Sequence, residues 1–145
     1  KYNDGSFFFF FFKESPIGKM FIQPHVKLES GEKVLLDDII GNDFAIIAWG
    51  VDPQWGINDA NMQIWKNLGV KFIQIIPEVQ FGNENRKKFE GVITLGDIGT
   101  DIRTWFGKTS ESVVILRPDR FVAALAIPQT LDQVSQQLFK KLHVK

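Results

Sequence analysis

Apolar residues fall along this chain in short blocks, and the spacing inside each block predicts its element. Phe44 to Trp49, FAIIAW, is a continuous apolar run bounded by Asp43 and Gly50. It is too short for a buried helix, so it predicts a central strand covered on both faces. Ala60, Ile64, Trp65 and Leu68 then recur at helical spacing, with Asn58 as N-cap and Gly69 as a stop. Val70 to Ile76, rich in β-branched and aromatic residues, predicts a second strand. Strand, helix and strand together span about 33 residues, the size of a parallel crossover unit.

Either side of that unit the pattern is shorter. Val26 to Leu28 and Lys33 to Leu36 flank the Ser30-Gly31 turn signal and predict a hairpin that decorates the main sheet. Leu36 to Gly41 reads as one helical turn stopped by glycine. Glu78 to Glu90 is polar and reads as a loop or short surface helix, with Arg86, Lys87 and Lys88 on a solvated face. Val92 to Leu95 predicts a short strand. Asp97 as N-cap, with Ile98, Ile102, Trp105 and Phe106 at helical spacing, predicts a helix ending at Gly107. Ser112 to Leu116 and Phe121 to Ala126, joined through Arg117-Pro118-Asp119-Arg120, predict an antiparallel hairpin. A final helix, capped by Thr130, carries the stripe Leu131, Val134, Leu138 and Leu142.

Residues 1–24 read differently. Asp4-Gly5, Pro16, Gly18 and Gln23-Pro24 break regular structure, so this stretch is an extended linker or docking segment ahead of a domain spanning 25–145. Within it, Phe7, Phe8, Phe9, Phe10, Phe11 and Phe12 would place rings on both faces of any strand. Burying each ring stabilises by about 2–3 kcal/mol, so the run must pack against something. Docking on another domain or protomer and an internal edge strand both remain open, as does aggregation of a cut surface.

Composition narrows the chemistry. With 145 residues, 44% apolar and 23% charged, the chain is one ordinary globular domain. Basic and acidic residues balance at 17 each, which leaves no positive field for nucleic acid or an anionic membrane. No apolar run approaches the roughly 20 residues of a membrane span. The absence of cysteine removes disulfides, thiolate catalysis and cysteine metal sites, and fits a cytoplasmic location. His25 and His143 lie far apart with no ligand spacing around them, so no metal site is expected. Asp37-Asp38 reads as helix capping.

The order of elements is that of an α/β thioredoxin-like fold, a central mixed sheet flanked by helices. Catalytic members of that fold place Cys-X-X-Cys where a helix N-terminus stabilises the thiolate. Here the corresponding loop, Gly50 to Ile57, holds no sulfur, and Ser112 stands without the proline that usually faces the dithiol. Three strings sharpen the likeness: Gln23-Pro24 with the Ser30-Gly31 turn and Leu35-Leu36-Asp37-Asp38; FAIIAWGVDP, Phe44 to Pro53; and VILRPDRFVA, Val114 to Ala123. Together they resemble the tail of 3-(3-hydroxyphenyl)propionate hydroxylase-type monooxygenases, a family similar in build to phenol hydroxylase. The resemblance runs from about Ser15 to the C-terminus.

That resemblance implies a non-catalytic assembly or stabilising domain of an FAD- and NAD(P)H-dependent aromatic ring hydroxylase. Its partners would be the upstream FAD-binding catalytic domain and further protomers, and the chain would be a fragment or separated domain. No Gly-X-Gly-X-X-Gly is present, so FAD and NAD(P)H are expected upstream, with no cofactor here. The alternative is a stand-alone, thiol-free binding protein holding a small aromatic ligand near Trp49 and Trp55. Candidate docking residues beyond the phenylalanine run are Asp52, Trp55, Arg117 and Asp119. Each has a plainer role: Asp52 accepting backbone bonds in a rigid turn, Trp55 covering apolar surface, and Arg117 with Asp119 holding a hairpin turn.

Overall fold

The computed structural model describes residues 15–143; the phenylalanine run lies outside them. Seven strands form one mixed sheet in the order β2-β1-β5-β4-β3-β6-β7. They are β1 (His25–Lys27), β2 (Lys33–Leu35), β3 (Ala45–Trp49), β4 (Lys71–Pro77), β5 (Val92–Asp97), β6 (Val113–Leu116) and β7 (Val122–Ala126). β3, β4 and β5 are parallel, and the remaining pairings are antiparallel. The helices are α1 (Leu36–Ile40), α2 (Asp59–Asn67), α3 (Asp101–Gly107) and α4 (Leu131–Lys141), with a 3-10 turn at Glu78–Gly82.

Alternation along the central strands builds two cores. Ala45 and Ile47 of β3 join Ile73, Ile75 and Leu95 under α1 and α3, whereas Ile46 and Ala48 join Phe72 and Ile115 under α2 and α4. Both sides of β3 are closed from solvent, which is why its sequence is a continuous apolar run. Trp65 of α2 meets Phe139 of α4 edge to face at 4.9 Å and donates its indole N–H to Ser135 Oγ at 2.8 Å. Each such buried ring or branched side chain stabilises the fold by roughly 1.5–3 kcal/mol.

Several expectations change. The β1–β2 hairpin is no decoration: Val26 and Lys27 pair with Asp97 and Gly96, extending the sheet. Asp97 ends β5 instead of capping a helix, and α3 starts at Asp101, because strand pairing on both sides holds the backbone extended. Thr130 gives α4 no side-chain cap; its hydroxyl accepts from Ile127 N–H at 3.1 Å. On α2 the buried positions are Asn61 and Trp65 while Ala60 is exposed, and on α4 Ser135 and Phe139 are buried while Leu142 is exposed. Arg86 is not solvated: its side chain is only 9% exposed, paired with Glu29 and stacked on Phe81 at 5.3 Å. The described part of the leading segment packs on the domain. Gly18 and Phe21 N–H groups bond to Val122 and Arg120 carbonyls, and Phe21 is 3% exposed in the α1/α3 core.

Candidate functional site

The loop from β3 to α2 occupies the position where this fold class places its chemistry. Its start is tied to the sheet: Gly50 N–H donates to Ile75 O at 2.9 Å, and buried Gln74 donates from Nε2 to Gly50 O at 3.3 Å. Asp52 Oδ1 accepts from Gln54 N–H at 2.9 Å, and Asp52 O accepts from Trp55 N–H at 3.3 Å, which makes an aspartate-centred turn. Gly56 follows at φ +88°, where a Cβ would sit 2.4 Å from Pro128 O. Only glycine fits so close to another backbone.

The loop ends on a polar clip. Asn58 Oδ1 accepts from Asn61 N–H at 2.8 Å, the N-cap that the sequence predicts. Asp132 of α4 then reaches across: its Oδ1 accepts from Asn58 N–H at 2.9 Å and Asn61 Nδ2 at 2.8 Å, and its Oδ2 from Asn58 Nδ2 at 3.0 Å. A carboxylate is the group that a helix N-terminus stabilises, and here the protein supplies its own. Asn61 and Asp132 stand 71 positions apart, and no local pattern joins them.

Beside this loop runs an open cleft of about 730 Å³, lined by Asp52, Gln54, Met62, Lys66, Val70, Phe72 and residues 88–91. Its walls mix two lysines with two carboxylates and apolar side chains, a surface without one dominant chemistry. Trp49 lies elsewhere, stacked on Phe106 at 6.3 Å, while Trp55 is 55% exposed.

The hairpin turn collects the other candidates. Arg117 and Asp119 form a forked ion pair, Nε to Oδ1 at 3.0 Å, and Asp119 also accepts from Phe121 N–H at 3.2 Å. Hydrogen bonding from Arg117 holds the Asp119 carboxyl below the usual range and raises the guanidinium in turn. Both side chains are exposed, where such a pair adds little to stability. Arg120, which no local pattern marks, does more. At φ +73° it sends Nε to Asp37 Oδ1 at 2.8 Å and Nη2 to the Asp37 and Gly41 carbonyls, tying the hairpin to α1. Asp37 therefore anchors Arg120 and does not cap α1, whose N-cap is Leu35.

Among the described residues two buried side chains carry unmatched polar atoms, Arg86 at Nε and Nη1 and Asp97 at both oxygens. Asp97 is 5% exposed, and neither carboxylate oxygen makes a hydrogen bond of standard geometry among the described residues, although the backbone amides of Ile102 and Arg103 lie nearby. Burial pushes its pKa up, against the pull of the Arg103 amide and guanidinium nearby. Among the described residues no group of three or more His, Cys, Asp or Glu side chains could hold a metal ion, and no helix is long and apolar enough to cross a membrane.

The family model for the HcaD C-terminal domain matches residues 18–141. The chain belongs to this family. As an HcaD C-terminal domain it is 51% identical over 130 residues to a 3-(3-hydroxy-phenyl)propionate/3-hydroxycinnamic acid hydroxylase of Klebsiella pneumoniae, covering 90% of this chain and 23% of that protein. The hydroxylase of the same name from Escherichia coli O139:H28 is 50% identical over 126 residues, covering 87% of this chain and again 23% of the relative. The domain thus spans under a quarter of the length of these curated relatives. Among solved structures it resembles a thioredoxin-like protein from Bacteroides caccae, with a TM-score of 0.64 at 14% identity, covering 88% of this chain and 51% of that one. It also resembles the C-terminal domain of a Bacteroides fragilis protein, with a TM-score of 0.65 at 14% identity over 84% and 96% of the two chains. The HcaD C-terminal domain is therefore thioredoxin-like in fold and has no cysteine in its sequence.

Proposed function

We propose that this chain is the non-catalytic C-terminal assembly and stabilising domain of an FAD- and NAD(P)H-dependent aromatic ring hydroxylase, working in the cytoplasm and within a homo-oligomer. The observation that carries the reading is the share of the match. Nearly all of this chain aligns with proteins named as hydroxylases, yet it accounts for only 23% of their length. The site supports the same view. The α2 N-terminus, the natural seat for a nucleophile or a phosphate, already holds the Asp132 carboxylate. Gly56 is pressed on Pro128 O, so its missing side chain makes room for protein and not for a pyrophosphate. The residues present do not fit a flavin, and the oxygen chemistry of such an enzyme belongs to its upstream part.

The test is removal of residues 18–141 from the full-length hydroxylase that carries them. Light-scattering mass or melting temperature should fall, while bound-flavin absorbance and the rate of flavin reduction by NAD(P)H stay within about twofold. A truncated enzyme with the parent's mass and melting temperature would end the proposal.

A further inference from the structure

The β3–α2 loop is pinned at Asp52, Gly56 and Asn58, yet it carries a large apolar side chain into solvent. The Asp52 turn fixes its first half, Gly56 is wedged against Pro128 O, and Asn58 is clipped by Asp132. At the tip, Trp55 keeps 55% of its surface exposed. A tryptophan on a fixed backbone loses little freedom when covered, which is the property of an interface anchor. Asp52 and Gln54 beside it would supply a polar rim.

Trp55 has company at this end of the sheet. Because β3, β4 and β5 are parallel, the loops after their C-terminal ends share one edge. Val79, in the 3-10 turn that follows β4, is 82% exposed there. The chain covers only 23% of its hydroxylase relatives, so a much larger body of protein accompanies this fold in those enzymes.

We infer that Trp55 is the anchor through which this domain docks on the upstream catalytic part of the same hydroxylase chain. This rests on the assembly role proposed above and gives it a contact point. The loop position that carries chemistry elsewhere in the fold class serves here as a rigid plug for a neighbouring domain.

The experiment uses the full-length hydroxylase with Trp55→Ala, Trp55→Phe and Trp55→Lys, the last suited to an exposed position should the alanine variant lose its fold. Limited proteolysis ahead of residue 18 reads how often the domain lifts away, and circular dichroism reports whether the fold is kept. Trp55→Ala and Trp55→Lys should speed junction cleavage about tenfold or more, with Trp55→Phe close to the parent and oligomeric mass unchanged. Unchanged cleavage in both overturns the inference. So does a loss of oligomeric mass without faster cleavage, which would assign Trp55 to a contact between copies. If deletion of the domain destabilises the enzyme while the Trp55 variants are silent, only the anchor fails; if deletion is silent too, the assembly role falls with it.

Discussion

Two helices in this molecule follow parallel strands, and their N-terminal ends treat an acidic side chain in opposite ways. At α2, Asp132 arrives from α4 and meets three donors on Asn58 and Asn61. Near α3, Asp97 is buried with no hydrogen bond of standard geometry among the described residues, and the N-cap residue Thr100 makes no side-chain cap. The first carboxylate latches two helices together; the second sits in the fold at a cost. At the start of α2 a carboxylate is matched by one backbone amide and two side-chain amides, whereas the unmatched carboxylate lies at the end of β5.

The comparison breaks first at the latch. Asp132→Ala leaves the buried Asn61 amide without its acceptor while water takes over the exposed Asn58 donors, and chemical denaturation should record a loss of about 1–2 kcal/mol. A loss below about 0.5 kcal/mol would make the cluster ornamental. Asp97→Asn should act in the other direction, raising stability near neutral pH by up to about 1 kcal/mol, because it removes a buried charge without changing the shape of the side chain. The sign with pH follows from the raised pKa. Folding favours the protonated Asp97, so its contribution is full below the ordinary value of 3.8 and is lost as pH rises through the raised folded value. The parent's denaturation midpoint relative to that of the Asn variant should fall with pH across that window; a difference that does not change with pH would refute the assignment. The smallest effect belongs to the hairpin turn. Asp119→Ala breaks an exposed pair whose lowered carboxyl pKa helps only above 3.8 and fades as pH falls through the folded value. Its melting temperature should match the parent at moderate salt, and a clear drop would mean that Asp119 has a partner beyond Arg117.

Most of the fold was legible before any coordinates, and the exceptions have a common origin. FAIIAW reads as a central strand because sheet burial on both faces demands a run of that kind, and Asn58 reads as an N-cap because its partner is only three residues on. Asp97 shows the limit of that locality: its sequence context is that of an N-cap next to an apolar helix pattern, but pairing with β1 and β4 keeps it in the strand. Arg86 looked solvated in a run of three cations, yet Glu29 and Phe81, brought in by the hairpin and the 3-10 turn, enclose it.

What the sequence alone determined is everything carried by short-range periodicity and by residue type: the element order, the thioredoxin-like class, the likeness to the hydroxylase tail, and the lack of thiol chemistry. The polar pairs that span the fold come from its three-dimensional packing: Asp132 with Asn61 across 71 positions, Trp65 with Ser135 across 70, and Arg120 with Asp37 across 83. The reason is physical. Periodicity is imposed by the backbone repeat of a single helix or strand, whereas a hydrogen bond between distant side chains depends on how two elements meet, and nothing near either residue records that meeting.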